Sequence, residues 1–197
     1  NSILGNKVSS ISEDQKGNIW VGTELGVSVF DPRTRTFSRP INSKELGGNI
    51  LEDPETIIND FYGNIWIKLS ETGKIYKYTD STKSTSCMNC NNNSELDGLK
   101  ITELFGDYSN TIWFGSESGL FSYDAKLDKI IKYPLDIGMI NSIVNGQENE
   151  IWVGSNNGLV KIINGPNGNY NIYKKSSSQS SIVSNNVKDL AWDANRK

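Results

Sequence analysis

Residues 17–26 read GNIWVGTELG, and related phrases stand at 63–73 (GNIWIKLSETG), 110–119 (NTIWFGSESG) and 149–158 (NEIWVGSNNG). Anchored on Trp20, Trp66, Trp113 and Trp152, the copies lie 46, 47 and 39 residues apart, a period that fits one propeller blade per repeat. The likeness extends well upstream. Isoleucine precedes each tryptophan (Ile19, Ile65, Ile112, Ile151), and an apolar residue stands nine before it (Ile11, Ile57, Leu104, Ile143). Twelve before it stand Val8, Pro54, Ile101 and Ile140; six before it, Asp14, Asp60 and Asp107, with Gly146 the exception. Three before it come Gly17, Gly63, Asn110 and Asn149, residue types that tolerate positive φ in a tight turn.

Each repeat therefore predicts a short apolar strand, an Asp-to-Gly/Asn turn and a second strand centred on Ile-Trp. A turn at Gly26, Gly73, Gly119 or Gly158 leads to a third strand (27–31, 74–78, 120–124, 159–163). A more polar fourth segment follows at 35–39, 129–133 and 169–173, while in the second repeat it does not separate from the loop after it. No stretch sustains a helical period, so the expected class is all-β: antiparallel four-stranded blades of a β-propeller, each burying its faces against its neighbours. The blades are expected at about 6–40, 49–80, 98–134 and 139–174, within one domain spanning 1–197. Residues 185–193 restart the pattern with Val187, Leu190 and Asp193, so the first strand of a fifth blade is expected from about 185 and the chain reads as part of a larger, about seven-bladed propeller, with a self-contained four-bladed ring as the alternative.

The glycine two places after tryptophan (Gly22, Gly115, Gly154) fits a close approach of another backbone or a bulky ring, which places the four tryptophans in the core between blades; a sugar-stacking platform is the alternative. The second repeat departs from this pattern, with Lys68 in place of glycine and one extra residue before Gly73. Trp192 stands in a different register.

Composition excludes several classes of function. The 197 residues carry a net charge of −3 with Lys and Arg scattered, so no basic stripe marks a nucleic-acid partner. No apolar run approaches the roughly 18 residues of a membrane span, and NSILGNKV has neither the basic start nor the apolar core of a signal peptide. Histidine is absent, which removes the commonest general base and the commonest zinc ligand. Cys87 and Cys90 form one C-M-N-C, too few ligands for a four-coordinate zinc site. A local disulfide in an oxidising compartment, free loop thiols, and a redox or metal role are the readings, in that order. No carboxylate pair, phosphate-binding glycine loop or nucleophile elbow compels catalysis, and no cofactor or metal is expected.

The string N-x-V-x-x-I-x-x-D-x-x-G-N-I-W-V-G-T-x-x-G-V, met by Asn6 through Val27, resembles the two-component regulator propeller repeat. Residues 99–120 and 141–159 match it more loosely, and 185–193 match its opening. The G-H and W-D signatures of WD40 repeats and the glycine doublet of kelch repeats are missing. The resemblance implies a periplasmic sensor region, mostly of gut Bacteroidetes, that detects carbohydrate fragments and signals through a membrane helix to a histidine kinase. It implies as partners an oligosaccharide, the remaining blades and kinase of the same protein, and in some cases a second copy in a homodimer. The streptogramin lyase propellers are a rival with similar blades but a catalytic histidine and a metal. Missing blades could carry that histidine. A pure interaction scaffold is a third reading.

For the ligand, the turns between second and third strands place Glu24, Glu71, Glu117 and Asn156 on one rim. Such acceptors suit sugar hydroxyls or a hard cation, and solvated turn residues are the bland alternative. The loops leading into successive blades (40–53, 81–98, 134–139, 174–186) differ in length, and the second, with CMNCNNNSELDG, is expected to set specificity. Tyr62 and Tyr108 fall in the turns that project from the opposite face, and Tyr170 is the remaining available aromatic.

Overall fold

In a computed structural model of the chain, the described residues are 2–42, 53–90, 95–163, 168–175 and 181–193. They divide into two compact units, Asn1–Gly98 and Leu99–Lys197. The first unit holds two sheets, β1 (Val8–Glu13), β2 (Ile19–Thr23), β3 (Gly26–Asp31), β4 (Thr36–Asn42) and β5 (Pro54–Asn59), β6 (Asn64–Leu69), β7 (Ile75–Thr79), β8 (Ser84–Cys87). The second holds β9 (Ile101–Gly106), β10 (Ile112–Ser116), β11 (Gly119–Asp124), β12 (Lys129–Lys132) and β13 (Ile140–Asn145), β14 (Glu150–Ser155), β15 (Gly158–Ile163), β16 (Asn169–Tyr173). Each sheet is an antiparallel meander in sequence order, one sheet per repeat, and there is no helix among the described residues.

The second sheet ends at Cys87, beyond the limit of 80 read from the sequence. Its last strand, STSC, is polar and half exposed, so no apolar alternation announces it. The loop of 81–98 therefore contains a strand, and parts of three lead-in loops (43–52, 91–94 and 176–180) lie outside the described residues.

The Ile-Trp strands run through the cores. In the first unit Trp20, Ile57, Ile65, Ile67 and Tyr78 are buried together; in the second Trp113, Ile143, Ile151, Val153 and Ile162 are. Each buried aliphatic side chain contributes about 1.5–3 kcal/mol of transfer free energy. Trp20 packs on Tyr78 of the adjoining sheet with ring centres 5.6 Å apart.

The aspartate six places before tryptophan fixes both a turn and an indole. Asp14 accepts the Lys16 and Asn18 amides on Oδ1 (2.8 and 2.9 Å) and the Trp20 indole N–H on Oδ2 (2.8 Å). Asp60 does the same for Tyr62, Asn64 and Trp66, as does Asp107 for Ser109, Thr111 and Trp113. Gly17, Gly63, Asn110 and Asn149 all close these turns at positive φ, between 61° and 78°. In the fourth repeat Gly146 offers no carboxylate, and the buried Trp152 Nε1 has no partner among the described residues.

The W-x-G glycine admits the residue that opens the next repeat, and not a ring. A Cβ on Gly22 would lie 2.9 Å from the Pro54 carbonyl oxygen, one on Gly115 would lie 2.6 Å from Ile140 Cγ2, and one on Gly154 would lie 2.8 Å from Val187 Cγ1. Eleven places before tryptophan, a side-chain donor grips that same incoming residue by its carbonyl. Ser9 Oγ reaches Pro54 O (2.9 Å), Thr102 Oγ1 reaches Ile140 O (2.7 Å) and Asn141 Nδ2 reaches Val187 O (2.7 Å). Residues 185–193 form no regular strand, yet they cover β13 and β14 in this manner. Val187 N–H also donates to Ser155 O (2.9 Å), and Leu190 N–H to Ser142 Oγ (3.3 Å). In the second repeat both features are replaced at once: Glu55 stands at the donor position and pairs with the buried Lys68 (2.5 Å) at the glycine position.

Candidate functional site

The turns that carry Glu24, Glu117 and Asn156 are two-residue hairpins closed by the pairs Thr23↔Gly26, Ser116↔Gly119 and Ser155↔Gly158. A hydroxyl latches each one from within. Thr23 Oγ1 donates to Gly26 O (3.0 Å), Ser116 Oγ to Gly119 O (3.1 Å) and Ser155 Oγ to Gly158 O (2.8 Å). The same oxygens accept the amides of Leu25, Ser118 and Asn157. The three glycines sit at φ of 121–132°, a region closed to most side chains, and a Cβ on Gly158 would meet Tyr173 O at 2.8 Å. The Thr or Ser after W-x-G is thus the structural half of the motif that sequence reasoning left without a role.

The second repeat has Leu69 at that position and a longer turn. Lys68 pairs with Ile75 and Leu69 N–H donates to Lys74 O, so the turn is Ser70–Gly73, two residues longer than its counterparts. Counting to Gly73 gave one extra residue, because Lys74, rather than Gly73, takes the pairing position of Gly26.

The four predicted acceptors differ in their commitments. Glu24 accepts the Asn6 amide on Oε1 and the Lys7 amide on Oε2, both at 3.0 Å. Chiefly the Asn6 N–H, working against partial desolvation, holds its carboxyl below the ordinary range. Asn156 Oδ1 accepts Asn141 Nδ2 (3.0 Å) and its amide donates to Met139 O (2.9 Å). These two therefore tie their turns to the segments leading into their own blades. Glu71 and Glu117 are exposed, and among the described residues neither carboxylate is engaged. No cluster of three or more His, Cys, Asp or Glu capable of holding a metal occurs among the described residues.

Cys87 and Cys90 are joined in a disulfide, with Cα atoms 5.6 Å apart. Between them Asn89 is buried; its Oδ1 accepts the Ile75 amide (2.9 Å) and its Nδ2 donates to Gly73 O (3.1 Å). Nothing in the spacing C-M-N-C singles out this asparagine, because its partners belong to a turn 14–16 residues away.

The opposite ends of the sheets carry the exposed aromatics Phe61, Tyr62 and Tyr108. Two shallow clefts open there. One is lined by Lys16, Asn18, Asp31 and Arg33, the other by Asp107, Tyr108, Asn145, Asn149 and Glu150. In the second cleft the Tyr108 amide donates to Asn145 Oδ1 (3.1 Å). Neither cleft includes any of the four predicted acceptors.

Residues 2–24 match the family model described as two component regulator propeller. Comparison with curated proteins finds no match. Among solved structures, the extracellular domain of a hybrid two-component system from B. thetaiotaomicron is 19% identical with a TM-score of 0.65, over 94% of this chain and 24% of that one. PorZ, a surface component of the type-IX secretion system of Porphyromonas gingivalis, is 19% identical with a TM-score of 0.66, over 96% and 30%. A catalytically inactive histidine-to-alanine variant of virginiamycin B lyase from Staphylococcus aureus, with quinupristin, is 16% identical with a TM-score of 0.60, over 92% and 60%. The chain spans about a quarter of the length of the two-component extracellular domains it resembles. The chain is a β-propeller fold that carries the two-component regulator propeller repeat.

Proposed function

We propose that the chain is part of the extracytoplasmic, periplasmic sensor region of a two-component regulatory system. In this reading it binds a carbohydrate-type ligand and passes the signal, through further blades, to a kinase elsewhere in the same protein. The observation that carries the reading is the match of residues 2–24 to the two-component regulator propeller, in a chain whose four sheets all repeat that blade. The hybrid two-component extracellular domain of the same fold supports it. The blade count, with a fifth blade starting near 185 and about seven in the intact ring, belongs to the same proposal.

The ligand-facing groups of this reading are Glu71 and Glu117, exposed acceptors suited to sugar hydroxyls. Glu24 and Asn156 are engaged within their own repeats, each shaping its own turn through the bonds described above. In this reading binding occurs without turnover, and the 197 residues themselves carry no histidine of the lyase kind.

Thermal unfolding across a panel of oligosaccharides tests the proposal. A ligand at about 100 times its Kd adds about 2.7 kcal/mol by mass action, and the rise should shrink in a Glu71→Gln, Glu117→Gln double variant. A midpoint that no glycan moves at millimolar concentration overturns the carbohydrate assignment.

A further inference from the structure

The second repeat lacks the hydroxyl latch of its three counterparts, because Leu69 stands where Thr23, Ser116 and Ser155 stand. It also has the longest of the four turns, with the exposed Glu71 near its apex. A four-residue turn without the hydroxyl at its base should be looser than a two-residue one. It is tied by Ser70 N–H donating to Asp53 O (3.1 Å) and by Lys74 N–H donating to Thr72 Oγ1 (3.3 Å), and its Gly73 end is held from outside, by Asn89.

The β7–β8 backbone pairing ends with Met88 N–H donating to Ile75 O (2.8 Å). From there the Asn89 side chain continues what the backbone leaves off. Its Oδ1 accepts the Ile75 amide and its Nδ2 donates to the Gly73 carbonyl, spanning the end of the turn with one planar amide. In the first and fourth sheets the backbone itself does this work, with pairs as far as Gly26↔Asn42 and Leu159↔Tyr173. Asn89 is 6% exposed, so both bonds are sheltered from water. The Cys87–Cys90 disulfide closes a small loop around this one side chain and removes the freedom by which it would swing away.

We propose that Asn89, clasped by the Cys87–Cys90 disulfide, is a redox-dependent latch that positions the Ser70–Gly73 turn and its Glu71. A dithiol transfers two electrons and two protons to the paired sulfurs, yielding two thiols, while the reductant closes to its own disulfide. The loop then opens and Asn89 leaves the turn. That this movement alters ligand recognition rests on the sensor reading above; the latch itself does not.

Amide hydrogen exchange on the whole chain, oxidised and after dithiothreitol, tests it. The Ile75 amide should exchange about tenfold faster or more on reduction, while the amides of the hydroxyl-latched turns, Leu25, Ser118 and Asn157, stay as they were. Asn89→Ala, which keeps the disulfide, should reproduce the change in the oxidised protein and abolish its response to dithiothreitol at Ile75. An unchanged Ile75 rate, or equal acceleration in all four turns, overturns the latch. A latch that responds as expected in a protein that no glycan stabilises leaves the latch standing and removes the carbohydrate assignment.

Discussion

The first three repeats and the fourth solve one problem differently. In the first three, a carboxylate six places upstream takes the indole N–H and two amides of the adjoining turn. In the fourth, Gly146 supplies nothing, and a Cβ there would lie 2.8 Å from both Cδ1 and Nε1 of Trp152. The indole rests against bare backbone where the others have a side chain. As in the other repeats, its ring has neighbours: Tyr173 stacks on it at 5.6 Å, and the Lys161 ammonium lies 5.4 Å from the ring centre, held by Glu150 at 2.6 Å. The cation over the ring is shared with the second repeat, where Lys77 lies 5.4 Å from the Trp66 ring centre beside the Asp60 bond, so what sets the fourth repeat apart is the missing carboxylate, and the strand keeps its register in both cases. The tryptophan is therefore required for its volume, while the means of fixing its orientation can vary.

Removing a carboxylate from the first type of repeat should have the largest effect. Asp60 is 3% exposed and accepts from Tyr62, Asn64 and Trp66. Asp60→Ala should cost about 3 kcal/mol in denaturant unfolding, since several donors lose their acceptor together. A cost under about 1 kcal/mol would mean that those repeats do not depend on the carboxylate. Next in size, Gly146→Asp tests whether the fourth repeat can be converted to the first type. The added Cβ must displace the ring, so a loss of about 1–3 kcal/mol is expected despite the new acceptor. A rise in the melting midpoint would show that the ring is free to return to the ordinary arrangement.

The smallest effect is one of pH. Burial pushes the Asp14 carboxyl upward, but bonds from Trp20, Asn18 and the Lys16 amide outweigh it and leave its pKa below the ordinary value of 3.8. Its ionised form therefore stabilises the fold fully above the unfolded-state value, and this stabilisation is lost as pH falls through the lower folded-state value. Asp14 is only partly buried, so solvent screening limits the effect to under about 1 kcal/mol. The stability gap between wild type and Asp14→Asn should be flat from neutral pH down to about 5 and close in stronger acid. A gap that widens in acid would contradict the assignment.

Much of this frame was legible in the sequence, because Ile-Trp strands and their turn glycines are local signals. The positive φ at Gly17, Gly63, Asn110 and Asn149 followed from residue type alone. Trp20, Trp66 and Trp113 are buried, while Trp152, in the repeat without the aspartate, is only half buried. The strand Ser84–Cys87 escaped notice because polar residues at a sheet edge leave no apolar period. The aspartates stood out by position, yet their bond to an indole six residues away needed coordinates. The commitments of Glu24 and Asn156 were hidden for another reason: a carboxylate or amide in a turn reads as available until the backbone beside it is placed. Asn89 was the hardest to foresee, since its partners lie on another strand and its neighbours in sequence are cysteines.

The grip of Ser9, Thr102 and Asn141 on the incoming residue is directed at a carbonyl oxygen. Every amino acid has that oxygen, including Pro54, whose missing N–H would bar it from many strand positions. These three repeats thus recognise that a chain follows without reading which side chain it bears. A joint of this kind tolerates drift in either neighbour and accepts a duplicated or exchanged repeat without retuning. It lets an array lengthen by copying while its turns diverge in length and sequence.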